Sequence, residues 1–247
     1  MKRLILLVSV SVAIVFAATV FAEEKGSYVG YKKCGGCHIS QRDSWLDTSH
    51  AKAMDSLKPK AKVNEKKKAK LDPNKDYTND KDCIGCHTTG YGEKGGYKVD
   101  MPEKKAQFLQ GVSCEMCHGA GSLFRKKHKE AGAKHKKTKE ATPRKELADA
   151  GQIFNYEEAC AGCHLNYKGS AWKGVKEPYT PFTPSVDAKY KFDFEKAVKE
   201  TGKGKAKAIH EHFKLRDVFK GEPVPKIRAE IQKTAKEPKA GEEKEEE

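Results

Sequence analysis

Apolar side chains are in short supply. Of 247 residues, 37% are hydrophobic and 34% charged, with only four methionines and two tryptophans, too little apolar side chain for a conventional core of that size. After residue 22 there is no apolar run of membrane length, so no later segment is expected to span a bilayer. Arginine is scarce beside lysine. Because arginine is the residue suited to bidentate phosphate contacts, its scarcity argues against nucleic acid as a partner. No cysteine is left over for a disulfide either: all eight fall inside one repeated five-residue motif.

That motif is Cys-x-x-Cys-His, present as Cys34, Cys37 and His38; Cys83, Cys86 and His87; Cys114, Cys117 and His118; and Cys160, Cys163 and His164. The spacing suits c-type haem attachment: two thiols add to the two vinyl groups of one haem, and the next residue binds the iron. Thioredoxin-like and zinc-ribbon motifs also pair cysteines, but neither needs a histidine after the second one every time. With nine histidines in the chain, four such coincidences read as four covalently bound c-type haems.

At the N-terminus, Lys2 and Arg3 precede an apolar run from Leu4 to Ala22 that ends before Glu23 and Glu24. This reads as a signal peptide over residues 1–22, with an uncleaved anchor as the alternative, and it predicts a mature periplasmic protein that does not span the membrane. Cleavage after Ala22 removes two positive charges and lowers the formal net charge from +14. Lysine runs from Lys58 to Lys70 and between Arg125 and Lys145 carry much of the excess. Part of it compensates haem propionates, and the remainder suits steering toward an acidic protein. Residues 236–247 read as a disordered charged tail, leaving 23–235 as the haem domain.

The expected fold is mainly α: a compact multihaem cytochrome c of helices and loops around four clustered haems, with little sheet. Helices are predicted from Ser40 to Leu57, from Glu158 to about Asn166, and from Phe192 through Leu215, the last weakened by the glycines of "TGKGK". Five histidines lie outside the motifs. His50 is twelve residues beyond His38, about 18 Å along one continuous helix, so it is expected to reach a different haem. His128 moves to another haem in the same way if its segment is helical. His210 and His212 diverge by about 200° around a helix, so at most one addresses a given iron, and local apolarity does not choose between them. His135 sits among lysines and reads as exposed; Met54 and Met101 read as core packing. Three distal histidines then serve four irons.

In order, the blocks "YKKCGGCH", "SWLDTSHAKAM", "KLDPNKDYTNDKDCIGCH", "GVSCEMCHG", "TPRKELADAGQ", "CAGCHLNYKGSAWKG", "EPYTPFTPSVDAKY" and "HEHFKL" resemble the tetrahaem cytochrome c-554 family over nearly all of the mature chain. The "TGKGK" stretch and His135 depart from its pattern. The resemblance implies that His210 completes the first-motif iron, His50 the third and His128 the fourth. It implies a five-coordinate second-motif iron held by His87 alone, its open face covered by Thr180, Pro181 and Phe182. That segment is stiffened by Pro181 and Pro184 and offers no strong iron ligand. The function implied is a periplasmic electron carrier, not an enzyme, with hydroxylamine oxidoreductase as donor and a downstream c-type cytochrome as acceptor in ammonia oxidation. Two rivals are a nitric oxide reductase at the open haem, against which stands the lack of acid-base groups in "TPF", and a subunit of an extracellular haem filament.

Overall fold

Short helices follow from a sequence punctuated by glycine, proline and lysine-rich turns. The computed structural model describes Glu24 and residues 26–165, 180–199 and 217–223. The expected signal peptide, "TGKGK", His210, His212 and the tail lie outside the described residues. In chain order the helices are α1 (Lys32–Gly35), α2 (Ile39–Leu46), a 3₁₀ segment (Ala53–Leu57), α3 (Val63–Lys68), α4 (Lys81–His87), α5 (Glu103–Ala106), α6 (Cys114–His118), α7 (Gly121–Thr138), α8 (Lys145–Asp149), α9 (Tyr156–His164), a second 3₁₀ turn (Ala188–Tyr190) and α10 (Phe194–Lys199). Among the described residues the only sheet joins two-residue strands in parallel, β1 (Thr142–Pro143) and β2 (Phe219–Lys220). The mainly α class expected from sequence is what the chain adopts.

The predicted helix from Ser40 to Leu57 is two pieces. Thr48 ends the first: its hydroxyl donates to the Trp45 carbonyl at 2.6 Å and accepts from the Ala51 amide at 3.2 Å, replacing the helical ladder with local side-chain bonds. No single helix therefore carries His38 and His50, and the 18 Å separation does not apply. The helix expected from Glu158 begins at Tyr156, where Asn155 caps it by accepting from the Glu158 amide, and it ends at His164 rather than Asn166. Of the helix expected from Phe192 through Leu215, α10 is the described part. His118 and His128 also sit on separate helices. Between them Gly119 takes φ +87°, and a Cβ there would run into the Gly151 carbonyl.

A main apolar cluster gathers Met54, Leu57, Tyr77, Ile84, Tyr97, Ala106 and Leu109, with Leu71, Cys83 and Met101 against it. It lies around the second haem motif, and both methionines take the packing role expected of them. A smaller cluster joins Tyr156 and Val198 to Cys117 and Phe194, so α9 and α10 close over the third motif.

Glu115, inside the third motif and 1% exposed, ties the N-terminal segment to α7. Its carboxylate accepts from the amides of Val29 (3.0 Å), Gly30 (2.8 Å) and Gly121 (2.7 Å). Burial holds this carboxyl above the usual range, while those amides and the Arg125 charge pull it back.

Candidate haem-binding site

On α4 the two thiols of the second motif stand three residues apart, one helical turn, with His87 as the last helical residue. The His87 ring is fixed from behind: Nδ1 donates to the Ala53 carbonyl at 2.8 Å, with Ser56 Oγ at 3.2 Å. This leaves the Nε2 lone pair free, the arrangement by which proteins orient a metal-binding imidazole. Burial lowers the His87 pKa, against the opposing pull of the Ala53 bond.

The first and third motifs meet. The thiols of Cys34 and Cys114 lie within hydrogen-bonding reach, and that bond, with burial, raises the Cys34 thiol. His118 is half-buried and its pKa is pushed down to about 4, chiefly by desolvation and then by His38 and His128. Its Nδ1 lies 3.3 Å from the Tyr156 hydroxyl, brought there by α9 packing on α6. The His38 and His128 rings are 5.9 Å apart, and His128 stacks on Phe219 at 5.4 Å.

The second and fourth motifs meet in the same manner, through Cys86 and Cys163, whose bond and burial raise the Cys163 thiol. Burial raises Cys117 to about 12, with the Cys160 charge beside it, so the third and fourth motifs are neighbours too. His164 lies 5.8 Å from His50 and stacks on Phe192 at 4.5 Å. The His164 residue keeps an exposed edge, yet desolvation of its ring and then His50 push its pKa down to about 4, while burial alone lowers the half-buried His50.

The imidazole neighbours seen are thus His38 with His128 and His50 with His164, whereas the resemblance pairs His50 with the third-motif iron and His128 with the fourth. His210 lies outside the described residues. His135, read as exposed, is half-buried, because it falls on the inward stripe of α7. Thr180, Pro181 and Phe182 are half-buried. Phe182 donates its amide to Thr180 Oγ1 at 3.2 Å and meets Tyr190 edge-on at 5.4 Å. Pairs Lys68–Asp187 (2.7 Å) and Lys189–Glu65 (3.2 Å) fasten this segment to α3.

These residues fit covalent haem. All eight cysteines are free thiols, seven of them half-buried. Among the described residues, no three His, Cys, Asp or Glu side chains converge as a bare-metal site. Arg125 Nε is buried without a partner, and its charge acts on Cys34. A buried, unpartnered donor beside an attachment thiol suits a propionate. Sequence reading missed the Ala53 carbonyl, Tyr156, Glu115 and Arg125. A backbone carbonyl leaves no sequence signal, and Arg125 was absorbed into a lysine-rich run.

A family model described as "Cytochrome c554 and c-prime" matches residues 33–119. Cytochrome c-554 of Nitrosomonas europaea is 56% identical over 214 residues, 87% of this chain and 88% of its own. The solved structure of the reduced state of cytochrome c554 from Nitrosomonas europaea aligns with a TM-score of 0.77 at 54% identity, covering 86% of this chain and 99% of that one.

Proposed function

The chain belongs to the cytochrome c-554 family, a family of c-type electron carriers, and on that premise we propose that it is a periplasmic tetrahaem protein that takes electrons from hydroxylamine oxidoreductase and delivers them to a downstream c-type cytochrome. Covalent haem supplies one-electron iron chemistry when bound. The chain does the rest. Cys34 and Cys37, Cys83 and Cys86, Cys114 and Cys117, and Cys160 and Cys163 anchor the macrocycles; His38, His87, His118 and His164 are the proximal ligands. His50, His128 and His210 are the distal ligands, and His87 is left without one.

The observation that carries this reading is the packing of the motifs against one another. Cys34 meets Cys114, Cys86 meets Cys163, and Cys117 neighbours Cys160. Four macrocycles held at such thiols would lie next to one another, as a conductor requires. The test is stopped-flow mixing of the oxidised protein with hydroxylamine oxidoreductase and hydroxylamine. Appearance of the reduced α-band is expected; no reduction would end the carrier assignment.

A second reading, reduction of nitric oxide at the open haem, draws on Tyr190. Its hydroxyl is buried without a hydrogen-bond partner while its ring touches Phe182, so a proton donor absent from "TPF" itself stands beside it. Nitric oxide turnover by the reduced protein that falls in Tyr190→Phe would favour it.

A further inference from the structure

Two lysine-rich runs look alike in sequence, and the fold treats them differently. In the first, the lysines are scattered over turns and the six-residue α3: Lys58 pairs with Asp55 at 2.6 Å and Lys68 with Asp187 at 2.7 Å, Glu65 is taken by Lys189 at 3.2 Å, and Lys60, Lys62, Lys67 and Lys70 are exposed with no ion pair among the described residues. Lys66 is withdrawn altogether, 3% exposed, donating to the Lys58 carbonyl at 2.7 Å with its ammonium over the Tyr77 ring.

The second run is the helix α7. Gly121, Phe124, Arg125, His128, Ala131 and His135 recur at three- and four-residue spacing, one stripe of the helix. Gly121 and Ala131 are buried in that stripe, and His128 there meets His38 and Phe219. Lys126, Lys127, Lys129, Lys134, Lys136 and Lys137 occupy the remaining arc and all are exposed. The carboxylates nearby in the chain are Glu130 and Glu140, the latter paired with Lys134 at 3.1 Å. Lys126, Lys127, Lys129 and Lys137 face solvent with no ion pair among the described residues.

We propose that the outer face of α7 is the docking face for an acidic electron-transfer protein. The proposal rests on the carrier reading above and adds a location to it. Unpaired lysines on one rigid helix present a concentrated positive field, which steers an acidic partner and raises its encounter rate. On the adjoining stripe of the same helix stands His128, itself exposed, its ring 5.9 Å from that of His38, and a haem ligand in the carrier reading. The charged face of α7 therefore adjoins a haem ligand. The unpaired lysines of the Lys58–Lys70 run are equally many, but they are spread over turns and the short α3 rather than along one 18-residue helix, so they concentrate the field less.

The test compares two triple variants of the haem-loaded protein with the same change in net charge: Lys126→Glu, Lys129→Glu, Lys137→Glu on α7, and Lys60→Glu, Lys67→Glu, Lys70→Glu on the first run. The reduced proteins are oxidised by hexacyanoferrate(III), which accepts one electron from a haem iron, and the oxidised proteins are reduced by hydroxylamine oxidoreductase with hydroxylamine. At low ionic strength both rates are expected to fall roughly tenfold in the α7 variant and much less in the other, with the gap closing at high salt. A matching Lys→Gln triple on α7 should fall by an intermediate factor, and an unchanged Soret band establishes that the haem fold is intact.

Equal losses in both Glu variants would overturn the proposal in favour of net charge alone, and unchanged α7 rates would overturn it outright. If the oxidoreductase reduces no form while hexacyanoferrate still distinguishes the two faces, the donor assignment fails and the steering face stands. Loss of binding to phosphatidylglycerol vesicles without a change in either rate would assign α7 to lipid and overturn the proposal.

Discussion

Side chains that never contact iron set much of the local energetics. Glu115 answers three backbone amides, two from the distant Val29–Gly30 segment and one from the start of α7, so Glu115→Ala leaves buried donors unanswered. A loss of roughly 3 kcal/mol is expected, since each unsatisfied group costs about 1–3 kcal/mol; guanidinium unfolding followed at the Soret band measures it. His118 and His164 are held near 4 against an ordinary 6.5. Over that window the unfolded chain binds more protons than the folded one, so stability should fall as pH is lowered from about 6.5 to 4. Iron ligation acts in the same direction, because it also needs the neutral ring. Glu115, held above its usual value, acts in the opposite direction, one group against the four histidines His50, His87, His118 and His164, all of which are lowered. A rising unfolding midpoint on acidification would contradict this account. At this scale the motifs were legible because attachment chemistry needs contiguous residues. The Ala53 bond to His87 and the Tyr156 contact to His118 were not, because each joins segments that only tertiary packing brings together.

Helix existence could be read from sequence, helix continuity less well. Thr48 shows why: a hydroxyl that bonds to the local backbone competes with the ladder, and hydropathy does not register it. Once that break is in place, counting residues between His38 and His50 no longer gives a distance. At the α6–α7 junction, Gly119 holds a left-handed conformation with the Gly151 carbonyl pressed against it. Gly119→Ala is expected to cost on the order of 1–3 kcal/mol through strain and to shift the direction of α7. A lowered denaturation midpoint with weakened ligation by His128 in the absorption spectrum would report both effects. The inward stripe of α7 explains His135 as well. A histidine read from its lysine neighbours looks exposed, but its helical phase turns it inward.

For the whole molecule, apolar poverty was the informative sign. The larger core surrounds the second motif, and the remaining motifs rest on a smaller cluster and on each other, a distribution that suits a protein in which macrocycles supply the missing apolar mass. Pyridine haemochrome analysis should return four haems per chain. Electron paramagnetic resonance of the oxidised form should show three low-spin irons and one high-spin iron; four low-spin signals would remove the open site and return His135 or His212 as a ligand. The family could be recognised from blocks spread along the sequence, while the pairing of imidazoles could not, because residue order does not determine which rings face each other.

The meeting of Cys34 with Cys114 and of Cys86 with Cys163 also bears on how the protein is made. Before any haem is attached, each meeting is a pair of adjacent thiols belonging to different attachment sites. Loss of two protons and two electrons to a thiol oxidant would join them, and each such crosslink disables two sites at once. Attachment of haem at the four motifs closes both routes, because a thioether sulfur has no thiol proton left to lose in forming a disulfide. Chain produced without haem-attachment machinery should carry Cys34–Cys114 and Cys86–Cys163 crosslinks in non-reducing peptide mass spectra, where a chain with sequential thiol pairing would instead show bonds within each motif.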